Sequence, residues 1–150
     1  MSHSRRVLLT VATVLVAACR PEPQQFTLRL DSDSYSFRVN ADPLPPRARE
    51  RTVYTVVVTD RKTKQPIEGG EGRIFASNAG PEDPDRRTVW NGLAKAEQVG
   101  TYTANLNFVT AGNWAMALEF RRDSASRLER IDWRQDIRRE GPAFPGDTAS

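Results

Sequence analysis

The 150-residue chain holds one cysteine, Cys19, and one histidine, His3. A single cysteine excludes an internal disulfide framework, so the fold must rest on its core. A lone histidine at the extreme N-terminus leaves the rest of the chain without the common general base, the usual partner of a serine or cysteine nucleophile. Methionine is as scarce, with only Met1 and Met116. Long apolar runs are missing too: the charge-free, largely apolar run Val7 to Ala18 has twelve residues, short of the ~20 that span a bilayer as a helix. No internal repeat is visible, and no segment sustains helical periodicity.

That short run has a specific setting. Arg5 and Arg6 precede it, and Ala17 and Ala18 lead into Cys19. A basic start, an apolar stretch and a small-residue cleavage point make residues 1–18 a signal peptide. Val16-Ala17-Ala18-Cys19 resembles the bacterial lipobox, which implies that the Cys19 sulfur becomes a thioether to diacylglycerol. Two or three acyl chains exceed the marginal hold of one, so the expected membrane contact is an N-terminal lipid anchor. The expected location is the periplasmic or extracellular face of a cell-envelope membrane. Removal of residues 1–18 takes away Arg5, Arg6 and His3, leaving 20 basic against 19 acidic side chains. A near-neutral chain carries no electrostatic footprint for nucleic acid.

Residues 19–25 read as a polar, proline-bearing tether, and residues 139–150, with Pro142, Pro145 and Gly146, as a disordered tail. Between them, 26–138 reads as one domain of strands. Phe26–Leu30 and Tyr35–Val39 alternate apolar and polar residues around the turn formers Asp31 to Ser34. Val53–Thr59 is β-branched or aromatic throughout and apolar on both faces, which predicts a central strand. Arg73–Asn78 and Thr88–Ala94 are shorter strands. Gly100–Phe108 and Trp114–Phe120 each place four apolar residues on one face, and the intervening Val109–Asn113 predicts a hairpin turn. Arg130–Ile137 closes the series. Seven or eight short strands without a helix predict an antiparallel β-sandwich. Trp90, Trp114 and Trp133 are expected to fill its inter-sheet core.

Gly100-x-Tyr102, Phe108 and Ala111-Gly112-x-Trp114 leading into a strand, together with Val53–Asp60 and Pro66-Ile67, resemble the YtkA-like family, which is related to FixH-type proteins. The resemblance covers about residues 50–138 and implies an immunoglobulin-like sandwich, with Phe26–Val39 as an added strand pair. It also implies an accessory role in metal (copper) transport or oxidase assembly. The ligand inventory opposes that role. Cuprous copper needs thiolate, thioether or imidazole ligands, and the mature chain offers only a modified Cys19 and Met116 on a core face.

Glu82, Asp83 and Asp85 share one loop and Asp31 and Asp33 another, at spacings that match no calcium loop. Arg86-Arg87, Arg121-Arg122 and Arg138-Arg139 read as solvated strand ends. No catalytic residue, metal ligand or cofactor is therefore expected, and the only assigned site is lipidation at Cys19. The reading is a non-catalytic module that binds an envelope protein partner or supports envelope assembly. Loops 41–51 and 79–87 are its expected contact surfaces.

Overall fold

A computed structural model describes residues 28–139. Cys19, the expected signal peptide and tether, Phe26 and the expected tail from Glu140 lie outside the described residues. Nine strands and no helix are described: β1 (Leu28–Asp31), β2 (Tyr35–Asp42), β3 (Arg51–Asp60), β4 (Glu71–Ser77), β5 (Thr88–Gly92), β6 (Ala94–Lys95), β7 (Thr101–Asn107), β8 (Gly112–Arg121) and β9 (Glu129–Ile137). They form two antiparallel sheets, ordered β1-β2-β3-β7-β6 and β5-β4-β8-β9. Without β1, the two orders are those of the A-B-E-D and C′-C-F-G sheets of an immunoglobulin-like sandwich. The β1–β2 hairpin adds an edge strand, Leu28 opposite Val39. The ninth strand arises because the expected Thr88–Ala94 strand breaks at Leu93. β5 pairs with β4 in one sheet, and β6 pairs with β7 in the other.

Alternation sets the core. β3 buries Thr52, Tyr54, Val56 and Val58, while β8 buries Trp114, Met116, Leu118 and Phe120 from the facing sheet. Val53–Thr59 is central, with β3 flanked by β2 and β7. Phe120 is the hub of an aromatic cluster, edge-on to Tyr35 at 5.2 Å, Tyr102 at 5.4 Å and Phe37 at 6.0 Å. Each such pair adds about 0.5–1.5 kcal/mol beyond its area. Tyr102 also ties down the β3–β4 connection: its hydroxyl donates to the Ile67 carbonyl (2.7 Å) and accepts from the Gly70 N–H (3.0 Å).

Two expectations are corrected. β7 and β8 are not a hairpin: β7 pairs with β3 and β6, and β8 pairs with β4 and β9. The link between them crosses from one sheet to the other. Trp114 fixes that corner, its indole N–H donating to the Thr110 carbonyl four residues upstream (3.1 Å) while the ring lies edge-on to Phe108 at 5.2 Å. This is the position at which antibody-type domains use a tyrosine corner. Nor do three tryptophans share the core. Trp114 is fully buried and Trp133 half-buried, but Trp90 is 67% exposed.

One core group is costly. The Tyr54 side chain has no exposure, yet its hydroxyl has no hydrogen-bond partner among the described residues, and burial pushes its phenol well above the usual range. A buried unsatisfied hydroxyl costs about 1–3 kcal/mol. Tyr54→Phe is therefore expected to stabilise the domain by about 1 kcal/mol, read as a higher urea midpoint with an unchanged slope. A lower midpoint would mean that the hydroxyl contributes to stability.

A candidate interaction face on the four-stranded sheet

In β4 and β8 the residues that do not enter the core point out of the sandwich, and register turns them into a grid. The middle row runs Trp90, Phe75, Ala117 and Asp132 across β5, β4, β8 and β9. Toward one end lies the row Gly92, Arg73, Glu119 and Arg130. Toward the other lies Thr88, Ser77, Ala115 and Arg134. Small Ala115 and Ala117 in the middle of the sheet, with longer side chains around them, make the face concave. One hollow of about 280 Å³ is lined by Phe75, Arg86, Ala115, Ala117, Arg130 and Arg134. A second, of about 210 Å³, lies between Arg73, Phe75, Thr88 and Trp90.

Two guanidinium groups lie over the Phe75 ring, Arg73 at 5.6 Å and Arg130 at 4.8 Å from its centroid. Both arginines are fixed by Glu119, whose side chain is only 11% exposed: Arg73 Nε lies 2.7 Å from one carboxylate oxygen and Arg130 Nη1 3.7 Å from the other. Arg130 also donates to Asp132 (2.7 Å), and that hydrogen bond holds its charge still more firmly. The arginines are thus preoriented with little rotamer freedom left to lose on binding. Arg86 and Arg134 differ. Arg86 donates to the Ser77 hydroxyl (2.8 Å) and Arg134 to the Asn113 side chain (3.2 Å), and neither has a carboxylate partner among the described residues. The face therefore offers aromatic surface beside two cations, Arg86 and Arg134, whose charge is unmatched.

Loop 79–87, expected as a contact surface, borders this face: Ala79, Gly80, Pro81 and Arg86 form one wall of the larger hollow. It is shaped by side chains that accept from its backbone: Asp83 accepts from the Asp85 N–H (2.8 Å) and Asn78, just after β4, from the Arg87 N–H (2.7 Å). Loop 41–51 does not join the face. Its first two residues extend β2, its last begins β3, and the rest lies over the end of β9, with the Ala48 N–H donating to the Arg138 carbonyl (2.8 Å). The residues missed from sequence are Arg73 and Phe75 of β4 and Arg130 and Arg134 of β9, two strands far apart in the chain. Their signal was weak: Phe75 is an aromatic at an outward position of an otherwise polar-out strand.

A larger groove of about 540 Å³ at the far end lies among Asp33, Asp60, Lys62, Arg122, Arg127 and Glu129. Its charges are largely satisfied by one another. Asp60 is lowered to about 2 by hydrogen bonds from the Thr63 N–H, the Arg122 guanidinium and the Lys62 N–H. Burial pushes Glu129 up, but hydrogen bonds from Ser32 and Ser34 outweigh it and leave its pKa below the usual carboxylate range. Those acids close turns. No group of three or more His, Cys, Asp or Glu side chains suited to a metal ion occurs among the described residues. Comparison of the chain with protein-family models, curated proteins and solved structures returns no match, so its assignment rests on the fold and on this face.

Proposed function

We propose that this chain is a non-catalytic, lipid-anchored, extracytoplasmic immunoglobulin-like module that binds an envelope protein partner through the outer face of the β5-β4-β8-β9 sheet. The observation that carries the reading is Trp90, 67% exposed on an edge strand beside Phe75. Tryptophan and arginine are the residues that most often dominate binding energy at protein interfaces. Here Trp90 and the arginines Arg73, Arg130 and Arg134 share one face of a sheet. The unmatched Arg86 and Arg134 favour a partner that presents carboxylates around an apolar centre. The lipobox-like run ending at Cys19 supports the anchor and, with it, an envelope location.

The test is site-specific photo-cross-linking in the intact cell envelope. A benzophenone side chain in place of Trp90 should capture one discrete partner, and the same group in place of Arg38, on the outside of the other sheet, should not. With that partner purified, Trp90→Ala should weaken binding by about thirtyfold or more, the size of an interface hot spot, with no loss of thermal stability. Equal capture from both positions, or undiminished binding by Trp90→Ala, would refute the assignment of this face.

A further inference from the structure

We infer that the end of the sandwich formed by the β2–β3 loop and the end of β9 lies against an anionic lipid bilayer and sets the orientation of the domain on the membrane. This rests on the anchor reading of Cys19. β1 begins at Leu28 opposite Val39, and β2 continues from there to Asp42, so the N-terminal end of β1 lies at this end. Cys19 is nine residues upstream, about 28 Å of extended chain at ~3.1 Å per residue. The ten residues of β3 alone span about 33 Å at ~3.3 Å per residue. A tether shorter than the domain is tall favours presenting this end to the surface that holds it.

The chemistry of this end suits that surface. Arg47, Arg49 and Arg51 come from the loop and the start of β3, and Arg138 and Arg139 follow β9; the acids of residues 42–51 are Asp42 and Glu50, the latter 3.8 Å from Arg47. The backbone beneath them is stiff. Arg47 bridges Arg138, the Arg138 N–H donates to the Pro46 carbonyl (2.9 Å), and the Arg49 N–H donates to the Phe108 carbonyl (2.7 Å). Leu44 and Val109, 43% and 47% exposed, are apolar points at the same end. Exposed arginines beside exposed apolar side chains match phosphate headgroups over an acyl boundary. The acids of loop 79–87 lie at this end too, but beside β5, at the opposite edge of its sheet from β9. Set against Arg86 and Arg87 of the same loop, they leave that edge without net positive charge, so the attraction is concentrated at the Arg47–Arg138 corner, away from Trp90.

The acylated protein can be reconstituted into phosphatidylcholine vesicles with or without phosphatidylglycerol, carrying a fluorophore on Val109→Cys or, at the far end, on Ser124→Cys. Quenching by brominated lipid should be severalfold stronger at 109 than at 124, and only with phosphatidylglycerol present. Salt that shortens the Debye length to about 3 Å should abolish the difference. Arg47→Gln, Arg138→Gln and Arg139→Gln together should lower the docked population on the order of a hundredfold, whereas Arg61→Gln, Lys62→Gln and Lys64→Gln together should leave it unchanged. Protein that floats with the vesicles but is quenched equally at both sites, or is indifferent to the first triple change, overturns this inference alone. Protein that floats with neither vesicle overturns the anchor reading on which it rests.

Discussion

Trp114→Ala is expected to destabilise the domain by about 3–5 kcal/mol, the cost of emptying a large aromatic site in a core. Three losses coincide there. The ring is fully buried, its edge-on contact with Phe108 is removed, and the Thr110 carbonyl loses the indole N–H that pins the crossing between sheets. Against a typical total of about 5–15 kcal/mol, such a loss approaches the whole margin. Trp114→Phe separates the parts: it keeps most of the volume but not the hydrogen bond, and should recover more than half of the loss. Chemical denaturation of both variants beside Trp90→Ala makes a sharp contrast, because Trp90 is expected to leave the unfolding midpoint unmoved. A Trp114→Ala domain within about 1 kcal/mol of the parent would show that the corner relaxes around the cavity and is not a fixed point of the fold.

Gly100→Ala is the second large effect. Gly100 has φ +75°, where a side chain with a Cβ costs about 1–2 kcal/mol. A Cβ there would also lie 2.6 Å from Pro66 Cβ and 3.0 Å from the Val58 carbonyl oxygen, a collision that adds about 1–3 kcal/mol. The displaced backbone is not idle: the Gly100 carbonyl accepts from the Val58 N–H (2.8 Å), and the Val58 carbonyl accepts from the Ile67 N–H (3.0 Å). The expected loss is thus about 2–5 kcal/mol. Gly112→Ala is the control, since φ is +132° there but nothing lies within 4 Å of the new Cβ. Its cost is therefore backbone strain without collision, at a φ further from the left-handed well than that of Gly100. A Gly100→Ala domain within about 1 kcal/mol of the parent would show that the Pro66 contact yields freely.

The strands were legible because burial on one face writes a two-residue period directly into the sequence, and Tyr102, Leu106, Met116 and Phe120 sit where that period puts them. Partnership was not. Alternation says which face of a strand is inside but not which strand lies beside it, so Gly100–Phe108 and Trp114–Phe120 read as a hairpin when a short link also suits a crossing between sheets. Trp90 was misplaced for a related reason. Size and hydrophobicity argue for the core, whereas its position on a five-residue edge strand, facing out beside Phe75, depends on register with β4. The outward face of the β5-β4-β8-β9 sheet was hidden almost entirely. Phe75, Trp90, Ala117 and Arg130 become neighbours only when four strands are laid side by side, and each alone reads as an ordinary strand residue. Loop 79–87 was visible because proline, glycine and charge mark an exposed connection at any register.

The placement of β1 has a mechanical consequence. Its hydrogen bonds to β2 run across the strand, while a pull transmitted from the residues before Leu28 runs along it. Tension on the domain therefore loads the four β1–β2 pairs in shear, all at once, instead of peeling them apart one by one like a zipper. An added hairpin strand at the sheet edge serves, in this geometry, as a strain-bearing splice between the domain and whatever holds it.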